Sequence, residues 1–230
     1  PRVRFGEHWV EGSVVELFQE DIARFRVLLA GEVEEDPLSI LHEGGIPTLK
    51  ALQFFNGTVY RWNRPCYGVM DGIPHLRIES RVLPSGPTVL DEVANGAFWV
   101  GLVLAIPEEI GDVTERMDFD EARSNFIAAA RLGLNAGFEW FDGEAVDART
   151  LILDRLLPMA ERGLKGSGVD GEDVDTYLGV IRDRVESGQN GTVWALRSVA
   201  NLKGKGTRSE RLAAIAANAL RQQKEGHPVH

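Results

Sequence analysis

The residues with the most chemical potential lie between Asn56 and Thr88. The charged side chains there are Arg61, Arg64, Arg77 and Arg81 against Asp71 and Glu79, a local excess of positive charge. The whole chain, with 25 Lys and Arg against 35 Asp and Glu, carries a net charge of −10. The run from His75 to Leu83 alternates: Leu76, Ile78, Ser80 and Val82 share one face, and Arg77, Glu79 and Arg81 share the other. That period of two predicts a half-buried strand. A carboxylate flanked by two guanidinium groups on one face suits a phosphate-bearing ligand with a divalent cation, since guanidinium forks bind phosphoryl oxygens and a carboxylate can bind Mg²⁺. A wet strand face on which the three charges neutralise one another fits the same pattern.

Other candidates carry weaker chemistry. His8, His42, His75, His227 and His230 show no metal-ligand spacing. Cys66 is the single cysteine, with no His near it in sequence to activate a thiol, and reads as a small buried apolar residue. Tyr60 and Trp62, beside Arg61 and Arg64, have the composition of a base-stacking strand, although paired aromatics on a strand usually serve a core. The turns Gly163–Gly168 and Lys203–Gly206 lack the Lys-Ser/Thr ending of a phosphate loop. The acidic pairs Asp91-Glu92 and Glu108-Glu109 read as helix-end residues.

The elements that must position these residues follow from periodicity and turn chemistry. Strands are predicted over Gly57–Asn63 and His75–Leu83, joined by a turn-rich connection holding Pro65, Pro74 and Met70-Asp71-Gly72. A helix is predicted over Ser13–Ala30, opened by a Ser13/Glu16 capping box, then an acidic loop of Glu32, Glu34, Glu35 and Asp36, and a short helix over Leu49–Phe55. Pro84-Ser-Gly-Pro87 closes the second strand. Thr88–Ile106 is apolar nearly all round, which predicts a buried core helix. Helices are then expected from Asp118 (paired with Glu121), over Arg149–Arg162 with an interruption at Pro158, over Asp173–Glu186 and Thr192–Leu202, and from the Thr207/Glu210 capping box to Lys224. A short strand or loop is expected at Phe138–Gly143.

These elements predict an α+β fold: a small antiparallel sheet packed on helices, followed by a C-terminal helical layer. The texture changes at about residue 140, from mixed segments to helices joined by Gly-rich turns; 1–117 is expected to be the sheet-bearing half and 118–230 the helical layer of one domain. The composition, 43% hydrophobic and 26% charged, excludes disorder and a disulfide scaffold. The acidic balance argues against nucleic-acid and anionic-membrane partners. The longest apolar stretch, Ala97–Ile106, is short of the roughly 20 residues of a bilayer-spanning helix. A single cysteine leads to the expectation of a reducing, cytoplasmic setting, and no signal peptide is read at the start. Pro1 in place of Met leads to the expectation of a cut within a longer protein.

The segments Asn56–Gly68 and Pro74–Thr88 resemble the carboxylate-amine ligases related to bacterial and plant glutamate–cysteine ligases and, more distantly, the catalytic domain of glutamine synthetase. The shared element is Arg77-Ile-Glu-Ser-Arg81 followed by a proline-bearing turn and a long apolar helix. The resemblance implies that Glu79 is a Mg²⁺ ligand at an ATP site, that Arg81 acts in catalysis and on phosphate, and that Asn63 and Arg64 face nucleotide phosphate. Arg77 or Arg61 would then take the carboxylate of an amino acid substrate. The implied reaction is ATP-dependent activation of a carboxylate as an acyl phosphate, which an amine attacks. No Glu-x-Glu metal strand precedes residue 56, so the resemblance implies only the C-terminal half of a catalytic domain, inactive alone. An N-terminal half or a second copy of the chain would have to complete it. The competing expectation is a non-catalytic regulatory or assembly module on the same scaffold.

Overall fold

A computed structural model describes residues 3–29, 31, 34–83 and 86–230. Ala30, Glu32 and the Pro84-Ser85 step of the closing turn, all used in the sequence reading, lie outside the described residues. The architecture is α+β and divides into two compact units, Pro1–Val82 and Leu83–His230. The boundary precedes the long apolar helix, so that helix belongs with the later helices rather than with the strands.

In the first unit, β1 (Val3–Arg4) pairs in parallel with β2 (Tyr60–Arg61). Helix α1 spans Val15–Arg24 and α2 spans Pro37–His42, the latter capped by the Asp36 side chain. Helix α3 spans Lys50–Gly57. The Ser13/Glu16 device forms in part: the Glu16 carboxylate accepts from Ser13 N–H at 2.9 Å, while the Ser13 hydroxyl takes Val15 N–H at 3.2 Å. α1 stops at Arg24 because Phe25 is already extended, well short of the predicted Ala30.

The two strands that matter are placed differently than periodicity indicates. β3 runs Asn63–Met70 and β4 runs Ile73–Ser80, antiparallel, with Met70 opposite Ile73 and Arg64 opposite Glu79. Asp71 and Gly72 both have positive φ, 54° and 77°, as a two-residue turn matched to strand twist demands. Pro65 and Pro74 concealed this hairpin from the sequence reading, because proline normally demotes a strand. Here each stands where its missing N–H would point to the outer edge of its own strand, so no ladder bond is lost.

The second unit begins with α4 (Val89–Glu109), capped by Thr88, followed by α5 (Phe119–Leu132), whose Asp118/Glu121 capping box forms as expected. The hairpin β5 (Gly137–Trp140) and β6 (Glu144–Asp147) comes next. Helix α6 (Ala148–Leu151) leads through a wider π-helical turn at Ile152–Leu156 into α7 (Leu157–Gly166). That widened turn accommodates Pro158, which lacks an N–H for the preceding turn. Helices α8 (Gly171–Ser187), α9 (Gly191–Asn201) and α10 (Arg208–Glu225) complete the chain, and α10 carries the Thr207/Glu210 box.

The core of this unit joins Ala94 of α4 to Leu157, Ala160 and Leu164 of α7 and to Val174, Leu178, Ile181 and Val185 of α8. α4 and α7 touch backbone to backbone. A Cβ on Gly101 would come within 2.4 Å of the Ala160 carbonyl oxygen, and one on Gly163 within 2.1 Å of the Gly101 carbonyl oxygen. The prediction of an all-round buried α4 is corrected: Val89, Val93, Val100, Val103 and Leu104 are exposed, and only the face bearing Ala94, Gly101 and Ala105 is buried. By length and composition alone α4 could cross a bilayer, but its small-residue face is packed against α7.

Candidate functional site

Antiparallel register places directly opposed residues on one face. Arg64, Cys66 and Gly68 of β3 therefore share a face with Glu79, Arg77 and His75 of β4. Arg64 donates from Nε at 2.8 Å and from Nη2 at 2.5 Å to one oxygen, Glu79 Oε2. Its third nitrogen, Nη1, donates to the Asn56 carbonyl at 3.1 Å. Asn56 in turn donates to the Pro65 carbonyl at 2.6 Å, so the end of α3 holds β3 in place. The Cys66 sulfur lies 3.8 Å from the same Glu79 oxygen. Burial pushes the Glu79 carboxyl up, but the Arg64 hydrogen bond and the charges of Arg64, Arg81 and Arg77 outweigh it and hold the carboxyl below its ordinary value.

The remaining predicted residues are distributed differently. Arg77 is exposed and its Nη1 meets His75 Nε2 at 2.9 Å. The Arg81 guanidinium lies over the Tyr60 ring, 4.9 Å from its centroid, and its backbone N–H donates to the Trp62 carbonyl at 2.7 Å. Asn63 is opposite Ser80, on the face away from Arg64, so the Asn63-Arg64 pair does not converge on one ligand. The apolar residues of the alternation, Leu76 and Ile78, are 57% and 51% exposed, while Glu79 on the other side is half-buried and Arg77 exposed, so β4 buries neither side of its alternation completely.

Arg61 stands apart from this group. It is 3% exposed, and its Nε donates to Asp21 Oδ1 at 2.8 Å and its Nη2 to Glu20. A guanidinium so engaged is not free to take a substrate carboxylate. It centres an ion network that the sequence reading missed. Glu20 also meets His8 Nε2 at 2.8 Å, and Arg4, opposite Arg61 in the β1–β2 register, meets Glu7 at 3.2 Å. Glu7 is further clamped by Arg24, whose hydrogen bond brings its carboxyl down to about 2. The adjacent acids Glu20 and Asp21 on one amphipathic helix were the available signal. Only the β1–β2 pairing, across some 55 residues of chain, brings Arg4 and Arg61 to them.

The resemblance implies Mg²⁺ at Glu79, and the donor set can be tested against it. Mg²⁺ requires near-octahedral oxygen coordination, and a protein usually supplies one or two carboxylates with water and phosphate oxygens. Glu79 is the only carboxylate of this face, one of its oxygens is taken by Arg64, and Arg64, Arg77 and Arg81 surround it with positive charge. Among the described residues no three His, Cys, Asp or Glu side chains gather where a cation could sit. These residues do not fit a divalent cation; they fit an anion better.

A second polar knot lies in the other unit. Asp91, fully buried, accepts from Arg184 Nη2 at 2.8 Å, from the Thr88 hydroxyl at 2.9 Å and from Val229 N–H at 3.3 Å. Arg184 also donates to Asn95 at 2.6 Å. Asp91 is thus more than a helix-end residue: it ties α4 to α8 and to the C-terminal segment. No known protein family, no curated protein and no solved structure matches the chain.

Proposed function

We propose that this chain is a non-catalytic regulatory or assembly module that carries a ligase-like hairpin and does not turn over substrate. The observation that carries the reading is the Arg64–Glu79 pair: the one carboxylate that metal-assisted phosphoryl chemistry would need is neutralised by its cross-strand neighbour at 2.5–2.8 Å. Acyl-phosphate formation needs metal ions to offset phosphate charge at the moment of transfer, and one engaged carboxylate cannot hold them. The arginines of the hairpin can still attract an anion, because guanidinium groups bind phosphate oxygens without a metal.

Calorimetric titration of ATP with and without Mg²⁺, on the wild type and on Glu79→Ala, tests this. The expected result is no Mg²⁺-dependent binding in either protein, with any residual nucleotide binding weakened by salt and by Arg64→Ala. The second reading is the C-terminal portion of an ATP-dependent, glutamate–cysteine ligase-like carboxylate-amine ligase, with ATP, Mg²⁺ on Glu79 and an amino acid substrate. The density of Arg64, Arg77 and Arg81 on one hairpin favours it. Mg²⁺-dependent ATP binding that disappears in Glu79→Ala would establish that reading over the first.

A further inference from the structure

The outer edge of β4 is unpaired among the described residues, and its sequence is complementary to itself. In the hairpin, Arg81 N–H donates inward to Trp62. Since main-chain groups alternate sides along a strand, residues 73, 75, 77, 79 and 81 bond inward and residues 74, 76, 78 and 80 face the outer edge. Pro74 has no N–H, which leaves the N–H and C=O groups of Leu76, Ile78 and Ser80 as a short open ladder. Unpaired edges of this kind recruit strands. The side chains beside the ladder are exposed too, Ile78 at 51% and Leu76 at 57%.

We propose that two copies of this chain pair antiparallel along β4, with Ile78 of each copy at the two-fold axis. In that register Ile78 faces the partner's Ile78, and Leu76 faces the partner's Ser80. All three outward residues then form hydrogen-bonded pairs. The intervening, closely spaced pairs place Arg77 opposite the partner's Glu79, and Glu79 opposite the partner's Arg77. Each Glu79 lies between its own Arg64 and the partner's Arg77, so charges alternate over three of the four strands and the row ends on the partner's Cys66. A shift that puts Leu76 on the axis would set Arg77 against His75 and lose a bond at Pro74. A shift to Ser80 would run past the end of β4. Charge, hydrogen bonding and the proline thus select one register, and isologous pairing is the commonest form of self-association.

The charged pairs of this register lie on the same face as the arginines offered to an anion, but association is read without nucleotide, so its outcome is independent of the titration. Strand pairing alone buries a small interface, so a weak dimer is expected, with a Kd of tens of micromolar. Sedimentation velocity of the full chain between about 5 and 200 µM brackets that range. The wild type should pass from monomer to dimer. Ile78→Pro removes an outward N–H without touching the β3 ladder, and should weaken association at least tenfold. Arg77→Glu, at an exposed site, should do the same. Mixing Arg77→Glu with Arg64→Glu/Glu79→Arg should restore a heterodimer, because both cross-copy pairs regain opposite charges. Circular dichroism checks folding; should Ile78→Pro unfold, Arg77→Glu and the mixture decide. A wild type that stays monomeric at the top concentration, or a dimer that forms equally well in Arg77→Glu, overturns the proposal.

Discussion

Two buried arginine–aspartate pairs, one in each unit, show how differently the same chemistry can be housed. Asp91 is fully buried and both its oxygens are used, by Arg184 and Val229 N–H on one side and the Thr88 hydroxyl on the other. Asp21 is 1% exposed and bonds Arg61 through Oδ1, but its Oδ2 has no hydrogen-bond partner. Around Asp91 lies a continuous apolar cluster with helix backbones in contact; around Asp21 lies a network of further charges from Arg4, Glu20 and His8. A buried ion pair is retained without loss only when its remaining lone pairs and protons are satisfied. The Asp91 carboxylate meets that condition, although Nε of its partner Arg184 is a buried donor without an acceptor; at Asp21 it is the carboxylate itself that falls short. Burial accordingly pushes the Asp21 carboxyl above its ordinary value, despite Arg61.

The largest expected effect removes the better-satisfied carboxylate. Asp91→Ala leaves the Arg184 charge half-buried beside an unpaired Thr88 hydroxyl and Val229 N–H, and should cost about 3–5 kcal/mol in urea unfolding. Asp21→Ala should cost less, about 1–3 kcal/mol, since Arg61 keeps Glu20 and one orphaned oxygen is removed. Equal losses in the two variants would end the contrast drawn between the units.

Gly163→Ala probes how tight the second unit is. Its Cβ would sit 2.1 Å from the Gly101 carbonyl oxygen, so α4 and α7 must separate, at a cost of about 1–3 kcal/mol or more by thermal unfolding. In the first unit the corresponding backbone test is Gly72→Ala, at φ 77° in the β3–β4 turn, with an expected loss of about 1 kcal/mol. Preserved stability in Gly163→Ala would mean that the helices have room to part.

The smallest effect is a difference in pH slope. Asp21 holds its proton more tightly when folded, so the native state binds more protons than the unfolded chain above pH 3.8, and Asp21 withdraws stability as pH rises through its raised folded value. Glu7 has the opposite sign. Its folded value of about 2 lies below its ordinary 4.5, so its contribution is present above 4.5 and is lost as pH falls toward 2. Urea unfolding of Asp21→Asn between about pH 3 and 6 should therefore show stability climbing more steeply with pH than in the wild type. A parallel pair of profiles would place the Asp21 carboxyl at its ordinary value.

Local signals were read well where a motif is self-contained. The boxes Asp118/Glu121 and Thr207/Glu210 begin α5 and α10 as predicted, because a cap needs only residues three apart. The interruption expected at Pro158 takes the form of a π-helical turn just before it, whereas α1 stops at Arg24, short of the apolar stripe that runs on to Leu29, because Phe25 is extended. The β3–β4 hairpin was only half legible. Asp71-Gly72 marks its turn, but Pro65 and Pro74 read as breakers until the register shows which edge each one faces.

From the amino-acid order alone came the α+β class, the alternation that sets Arg77 and Glu79 on one face of a strand, and most helix starts. These depend on side-chain period and on bonds within a few residues. Tertiary structure decided the rest: that Leu76 and Ile78 stay exposed, that Glu79 answers to Arg64, that Arg61 is held by Glu20 and Asp21, and that Asp91 meets Arg184. Each of those is a contact between residues far apart in the chain, and desolvation of a charge is known only once its surroundings have assembled.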